Sequence, residues 1–368
     1  MNRNYCQSRS IALRLAGKVP IVFLILSSIA LTGCDRRDRS TLASPPPNPT
    51  PQAQKTAADP TIPNLGIPID CELDRDCYIM HYVDRDPDPN EELDFNCGRQ
   101  TYDTHKGTDF GIPDERAMAE GVAVLAAADG TVLRVRDGQP DRRATADQIE
   151  EVEAQQTECG NGMVIDHGNG WETQYCHLRN GSVAVQPGTQ VKKGDVLGLV
   201  GLSGKTQFPH VHLSVRHNGE VVDPFVGDTQ ESGCQVTRNP MWDRPLAYDP
   251  TGLIRAGFST VQPTFDDLWA GRFAETELSK DSPALIFWVH VYGVLKGDIQ
   301  RFRMFDPTGR EFLNQETEVE APSRTWVGFV GKRNTADQPI IPGTWRGEYQ
   351  LKRGDEVIVE VERSIEVK

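Results

Sequence analysis

Three short stretches of this 368-residue chain carry side chains whose types and spacing suit acid–base or metal chemistry. The first is Pro209-His210-Val211-His212-Leu213-Ser214-Val215, an apolar, β-branched run that predicts a strand. Strand side chains repeat every second residue, so His210 and His212 share a face. Two imidazoles on one buried face either coordinate a metal or work as acid and base. The second stretch, His105-Lys106-Gly107-Thr108-Asp109, offers an imidazole and a carboxylate in a short glycine-containing turn. The third, Tyr175-Cys176-His177-Leu178, adds an isolated histidine. His, Asp and His plus a water is a common open catalytic zinc set. His81, His167, His217 and His290 lie in no comparable context and read as structural or exposed.

The elements that must hold these residues read as β-rich. Residues 163–167 and 171–175 form two strands joined by Gly168-Asn169-Gly170, so His177 follows the end of a hairpin. Asp129-Gly130 predicts a second hairpin, between 122–127 and 131–135, and Gly188, Gly194, Gly198, Gly201 and Gly204 mark further turns. The charged stretch 141–158 reads as a surface helical insertion without chemistry.

In this order, with their glycine framework, the stretches resemble the lysostaphin/LytM-type zinc peptidases, which cut peptidoglycan peptides. The family pattern is H-x-x-x-D, then a histidine after tyrosine, then H-x-H. Here these are His105/Asp109, Tyr175-Cys176-His177 and His210/His212, with support from 185–198 and from Gly201-Leu202-Ser203-Gly204 leading to Pro209-His210. The resemblance covers roughly residues 100–226. It implies a mainly β, lipoyl-like barrel-sandwich domain with a duplicated hybrid motif. It further implies one Zn2+ per chain on His105, Asp109 and His212, with His177 and His210 as catalytic groups beside the open position. The implied activity is that of a zinc metalloendopeptidase hydrolysing peptide crosslinks of bacterial cell-wall peptidoglycan. One departure stands out: many relatives carry Glu two residues after the second His of H-x-H, where this chain has Ser214, on the His212 face by alternation. The alternative is a catalytically inactive scaffold of the same type that binds peptidoglycan or activates another wall hydrolase. Such scaffolds usually lack several of the five positions, and none is missing here.

The N-terminus sets the compartment. Residues 1–18 carry Arg3, Arg9, Arg14 and Lys18 without an acid, and the apolar stretch 19–30 is too short to span about 30 Å of hydrocarbon. It ends in Leu31-Thr32-Gly33-Cys34, which resembles a bacterial lipoprotein box with Cys34 as the lipidated residue. With Asp35 following, that resemblance implies the periplasmic face of the inner membrane of a Gram-negative bacterium. In that oxidising setting six cysteines remain beyond the tether. Extending the 163–175 hairpin outward brings Cys159 and Cys176 within reach of a bridge. Cys71, Cys77, Cys97 and Cys234 are left for two more bridges, with their pairing open.

At the other end, Trp345, Tyr349 and Leu351 alternate with charged and polar residues, as do Val357, Val359 and Val361 after the 353–355 turn. That predicts an antiparallel, immunoglobulin-like β-sandwich with one wet face, a surface on which a protein partner could dock. The expected organisation is a signal segment 1–33, a lipidated Pro-rich tether 34–68, a zinc peptidase domain 69–231 with a Cys-containing N-terminal segment, a linker 232–262 and the sandwich 263–368. Lys+Arg 39 against Asp+Glu 53 gives a net charge of −14, and removal of the signal leaves 35 against 53, or −18. Such acidity excludes nucleic acid as a partner and leaves the lipid anchor as the only membrane contact.

Overall fold

The computed structural model describes residues 62–368, so the signal segment, Cys34 and the tether as far as 61 lie outside the described residues. Ten strands build the first half: β1 (Tyr78–His81), β2 (Thr108–Gly111), β3 (Ala123–Leu125), β4 (Gly130–Arg136), β5 (Asn161–Gly168), β6 (Trp171–Leu178), β7 (Gln190–Val191), β8 (Val196–Leu199), β9 (His210–His217) and β10 (Glu220–Val222). Eight of them form one sheet in the order β1-β2-β9-β6-β5-β4-β7, with β10 beside β9, while β3 and β8 pair separately. The core of this half gathers Phe110, Val132, Met163, Ile165, Tyr175, Val211, Leu213 and Val215, none more than 2% exposed. Each such side chain contributes about 1.5–3 kcal/mol by leaving water, which fixes the strand register through the face it buries.

The β5–β6 hairpin forms as its sequence predicts. The Asp129-Gly130 turn does not close one between 122–127 and 131–135: β3 pairs with β8, and β4 with β5 and β7. Val124, Ala126 and Ala127 are all buried, so this segment runs through the core and lacks the wet face of a hairpin arm. Of the helices, α1 (Glu115–Glu120) follows β2, and α2 (Ala146–Ala154) falls within 141–158, started by a capping box between Thr145 and Gln148. The folded body also begins before residue 69, because Leu65 is fully buried and bridges to Trp242.

The second half is a β-sandwich. Strands β11 (Gly252–Ser259), β13 (Ala284–Val294) and β16 (Ser323–Arg333) form one sheet. The other contains β12 (Glu277–Leu278), β14 (Ile299–Phe305), β15 (Glu311–Glu318), β17 (Gly343–Arg353) and β18 (Glu356–Val367). Phe287, Val289 and Val291 of the first sheet share a core with Phe302, Trp345, Tyr349 and Leu351 of the second. The stretch expected as a linker therefore contains a strand of the sandwich, since β11 pairs with β13 over Gly252–Ser259. Its buried Ile254 and Phe258 explain the pairing.

The two halves meet on β1. Tyr78 and Met80 of β1 cluster with Ile254, with Trp269 of α3 (Phe265–Trp269) and with Tyr292, and Phe208 packs against them. Cys77 and Ile79 of the same segment belong to the first core. The free edge of β1 is covered by Gln100, whose carbonyl accepts from Tyr82 N and whose Nε2 donates to Met80 O at 2.7 Å. Arg255 pairs with Asp114 across the same junction, and Arg324 reaches both Glu92 and the carbonyl of Thr101. Disulfides join Cys71 to Cys77, Cys97 to Cys234 and Cys159 to Cys176.

His290, on β13, is fully buried against Trp269 and Phe265, and neither ring nitrogen has a partner among the described residues. Burial, helped by the charge of Arg255, lowers its pKa from 6.5 to about 3. A depressed histidine favours an unfolded state that protonates first, so this site costs stability as pH falls below 6.5 and costs nothing above it. The acid-side loss should reach about 1.4 kcal/mol per pH unit. We expect His290→Leu to gain about 2 kcal/mol over the native chain on moving from pH 7 to pH 4.5. Urea unfolding at the two pH values measures this, and parallel acid losses would contradict it.

Candidate metal and catalytic centre

Sheet register assembles the centre. His81 on β1 lies opposite Asp109 on β2, Asp109 opposite His212 on β9, and His212 opposite Cys176 on β6. Directly opposed residues of an antiparallel sheet project to one face, so a single row across four strands collects a carboxylate between two imidazoles. His105 reaches the row from the turn before β2. Gly107 makes that approach possible, because a Cβ there would lie 2.5 Å from His212 Nε2. His210 is two residues before His212 on the same face, opposite Gly111. His177 closes the far side with φ of 65°, a backbone conformation that costs a non-glycine residue about 1 kcal/mol or more. Its amide donates to Cys159 O at 2.8 Å, and the Cys159–Cys176 bridge ties the same two segments.

The outward hydrogen bonds of the histidines determine what their inner nitrogens can do. His105 Nδ1 donates to the Tyr82 carbonyl at 2.6 Å, so its neutral ring keeps a lone pair on Nε2. Ser214 Oγ donates to Lys106 O at 2.6 Å and must therefore accept from His212 Nε2 at 3.0 Å, which leaves the lone pair of His212 on Nδ1. These two lone pairs lie 3.1 Å apart, and 3.2 and 2.8 Å from Asp109 Oδ1. With both rings neutral, three acceptors face one another without a proton between them, an arrangement that calls for a cation. The chemistry of this donor set fits a divalent metal with nitrogen and oxygen ligands.

His177 and His210 are tied in the same manner. His177 Nδ1 donates to Ser203 O at 2.8 Å and His210 Nδ1 to Phe208 O at 2.9 Å, so both present Nε2 inward. Their rings stand 4.6 Å apart, and His210 Nε2 is 3.5 Å from Asp109 Oδ1. Phe208 stacks on His210 at 4.3 Å and meets Trp269 of the sandwich at 5.5 Å, so the second half braces this imidazole. Burial, and then the neighbouring His210 and His212, hold His177 well below its usual pKa, so it is neutral at pH 7. Burial lowers His212 as well. Burial alone would raise the Asp109 carboxyl, but the adjacent His105 and His210 hold it well below the usual carboxylate range. His105 is raised, burial being outweighed by that same carboxylate.

The sequence profile of peptidase family M23 matches residues 103–224, which contain all five of these residues. Residues 103–224 form an M23 domain. Over 124 residues the chain is 32% identical to "DD-carboxypeptidase/endopeptidase Mpg" of Neisseria meningitidis serogroup B, covering 34% of this chain and 23% of that protein. It is 30% identical over 119 residues to "Peptidoglycan DD-endopeptidase ShyA" of Vibrio cholerae, covering 32% and 22%. Among solved structures, a zinc-containing peptidase from Vibrio cholerae aligns over 44% of this chain and 39% of that one, with 24% identity and a TM-score of 0.30. The chain thus spans less than a quarter of the length of these curated relatives.

Of the histidines expected to be inert, three are structural in the M23 domain or its neighbour. His167 bridges Asp129 O and Thr173 Oγ1, His217 stacks on Trp171 and bonds Asp228, and His290 is buried against Trp269 and Phe265. His81 departs from that expectation, because its Nδ1 lies 2.9 Å from Asp109 Oδ2. Its sequence signal is a lone polar residue in the apolar run Tyr78-Ile79-Met80-His81-Tyr82. The carbonyls of Tyr82, Ser203 and Phe208 carry no side-chain signal at all.

Ser214 is the partner through which His212 keeps its tautomer. Ser214→Ala should weaken divalent-metal binding by about tenfold, read by chelator competition on metal-stripped protein. Unchanged affinity would contradict this role.

Proposed function

We propose that this chain is a zinc-dependent endopeptidase acting on the peptide crosslinks of bacterial peptidoglycan. The observation that carries the reading is the convergence of His105 Nε2, Asp109 Oδ1 and His212 Nδ1 beside two imidazoles that also point Nε2 inward. The peptidoglycan endopeptidases among its relatives supply the substrate class.

His105, Asp109 and His212 would hold the zinc. When bound there, the ion polarises a carbonyl and lowers the pKa of water. His177 and His210, fixed through Nδ1, each offer one lone pair on Nε2. One takes a proton from the attacking water and returns it to the leaving amide nitrogen, so the peptide becomes an acid and an amine. The other, when protonated, faces the oxyanion. The buried surroundings strengthen both interactions. Ahead of the folded body, Cys34 and the Pro-rich stretch would tether the enzyme to the periplasmic face of a membrane. The inactive-scaffold alternative gains no support from the site, where all five positions come together.

The variants should separate two groups. His105→Ala, Asp109→Ala and His212→Ala should lose both zinc and cleavage of purified muropeptides. His177→Ala and His210→Ala should keep zinc but lose about 10²–10⁴-fold in kcat. Mass spectrometry of digested muropeptides gives the readout and the bond cut. Cleavage that persists after chelation would sink the proposal.

A further inference from the structure

The Asp109 carboxylate has two oxygens, and only Oδ1 faces the inward nitrogens of His105, His212 and His210. Oδ2 has a single partner among the described residues, His81 Nδ1 at 2.9 Å. A carboxylate only accepts, so His81 donates through Nδ1. His81 is 8% exposed and is absent from the residues whose donor atoms gather within 4.8 Å as potential ligands. It stands behind Asp109 relative to the ligand cluster.

Its position depends on a local irregularity. Along β1, Ile79 pairs with Phe110, yet the next paired residue is His81 with Asp109, so Met80 is the extra residue of a β-bulge. Regular pairing would set Met80 opposite Asp109, and the bulge substitutes His81. Met80 instead packs with Tyr78, Ile254, Trp269 and Tyr292 where the sandwich meets β1. Residue 81 also lies outside the matched region 103–224.

We propose that His81 is a positioning residue for the metal-binding carboxylate, supplied by the segment that precedes the M23 domain. Its Nδ1–H holds Oδ2, prevents the carboxylate from rotating, and aims Oδ1 at the cation. A donor on the outer oxygen also withdraws charge from Asp109, leaving a bound cation more electron-poor. The role rests on the reading of this site as a metal centre.

The test uses the complete disulfide-bonded chain, stripped of metal and titrated with Zn2+ against a chromophoric chelator. Native protein must bind one equivalent, and failure at that step overturns the metal reading rather than the role of His81. Given binding, His81→Leu should weaken it about 10–100-fold. His81→Asn, whose amide can place an N–H where Nδ1 stood, should recover most of the affinity. Long-range proton–nitrogen NMR of the native, zinc-loaded imidazoles should find His81 protonated on Nδ1. Native affinity in the leucine variant, equal weakening in both variants, or an unprotonated Nδ1 each overturns the proposal. Should the leucine variant fail to fold, the tautomer in the native protein decides the matter.

Discussion

A buried carboxylate organises this protein. Asp109 is 2% exposed, and an isolated charge at that depth costs several kcal/mol unless its surroundings compensate. Compensation comes from the His81 Nδ1–H on Oδ2 and from the cation that Oδ1 calls for together with the inward nitrogens of His105, His212 and His210, and no single element supplies these four imidazoles. They arrive from β1, the turn before β2, and β9, so the register of three neighbouring strands is tied to the hydrogen-bonding needs of one side chain. A slip of one residue along β9 would replace His212 with Val211 or Leu213 and turn an apolar side chain toward the charge.

Around that centre, backbone carbonyls take the place of a second set of charged residues. Tyr82, Ser203 and Phe208 each accept from an Nδ1–H, and Ser214 relays the Lys106 carbonyl to His212. Carbonyl acceptors fix the tautomer without adding charge, which suits a pocket that already holds a carboxylate and is built to receive a cation. The sandwich contributes through packing, since Trp269 backs Phe208 and Phe208 backs His210.

The five inward-facing residues were legible because each sits in a short, patterned segment, and a period of two places His210 and His212 together without further information. The Cys159–Cys176 bridge followed from one hairpin for the same reason. Local pattern misleads where pairing is distant. Asp129-Gly130 reads as a hairpin turn, but the segment with Val124, Ala126 and Ala127 buried finds β8 instead. β11 lacks clean alternation, its buried residues falling at Ile254, Phe258 and Ser259, so its sequence reads as linker. His81 is not legible in the sequence because a bulge, invisible in a window of five residues, decides which residue of β1 faces Asp109.

The covered edge of β1 also restricts how a peptide can approach. An unpaired outer strand offers a ready template for a further extended chain, and many domains capture peptides by that kind of strand addition. Here Gln100 occupies the outer N–H and C=O groups of 80–82, and Tyr78 and Met80 are sealed under the sandwich. No visiting chain can align itself on that border. A peptide substrate of the proposed activity would instead reach the row of histidines across the face of the sheet, aligned by side chains and loops rather than by a borrowed ladder.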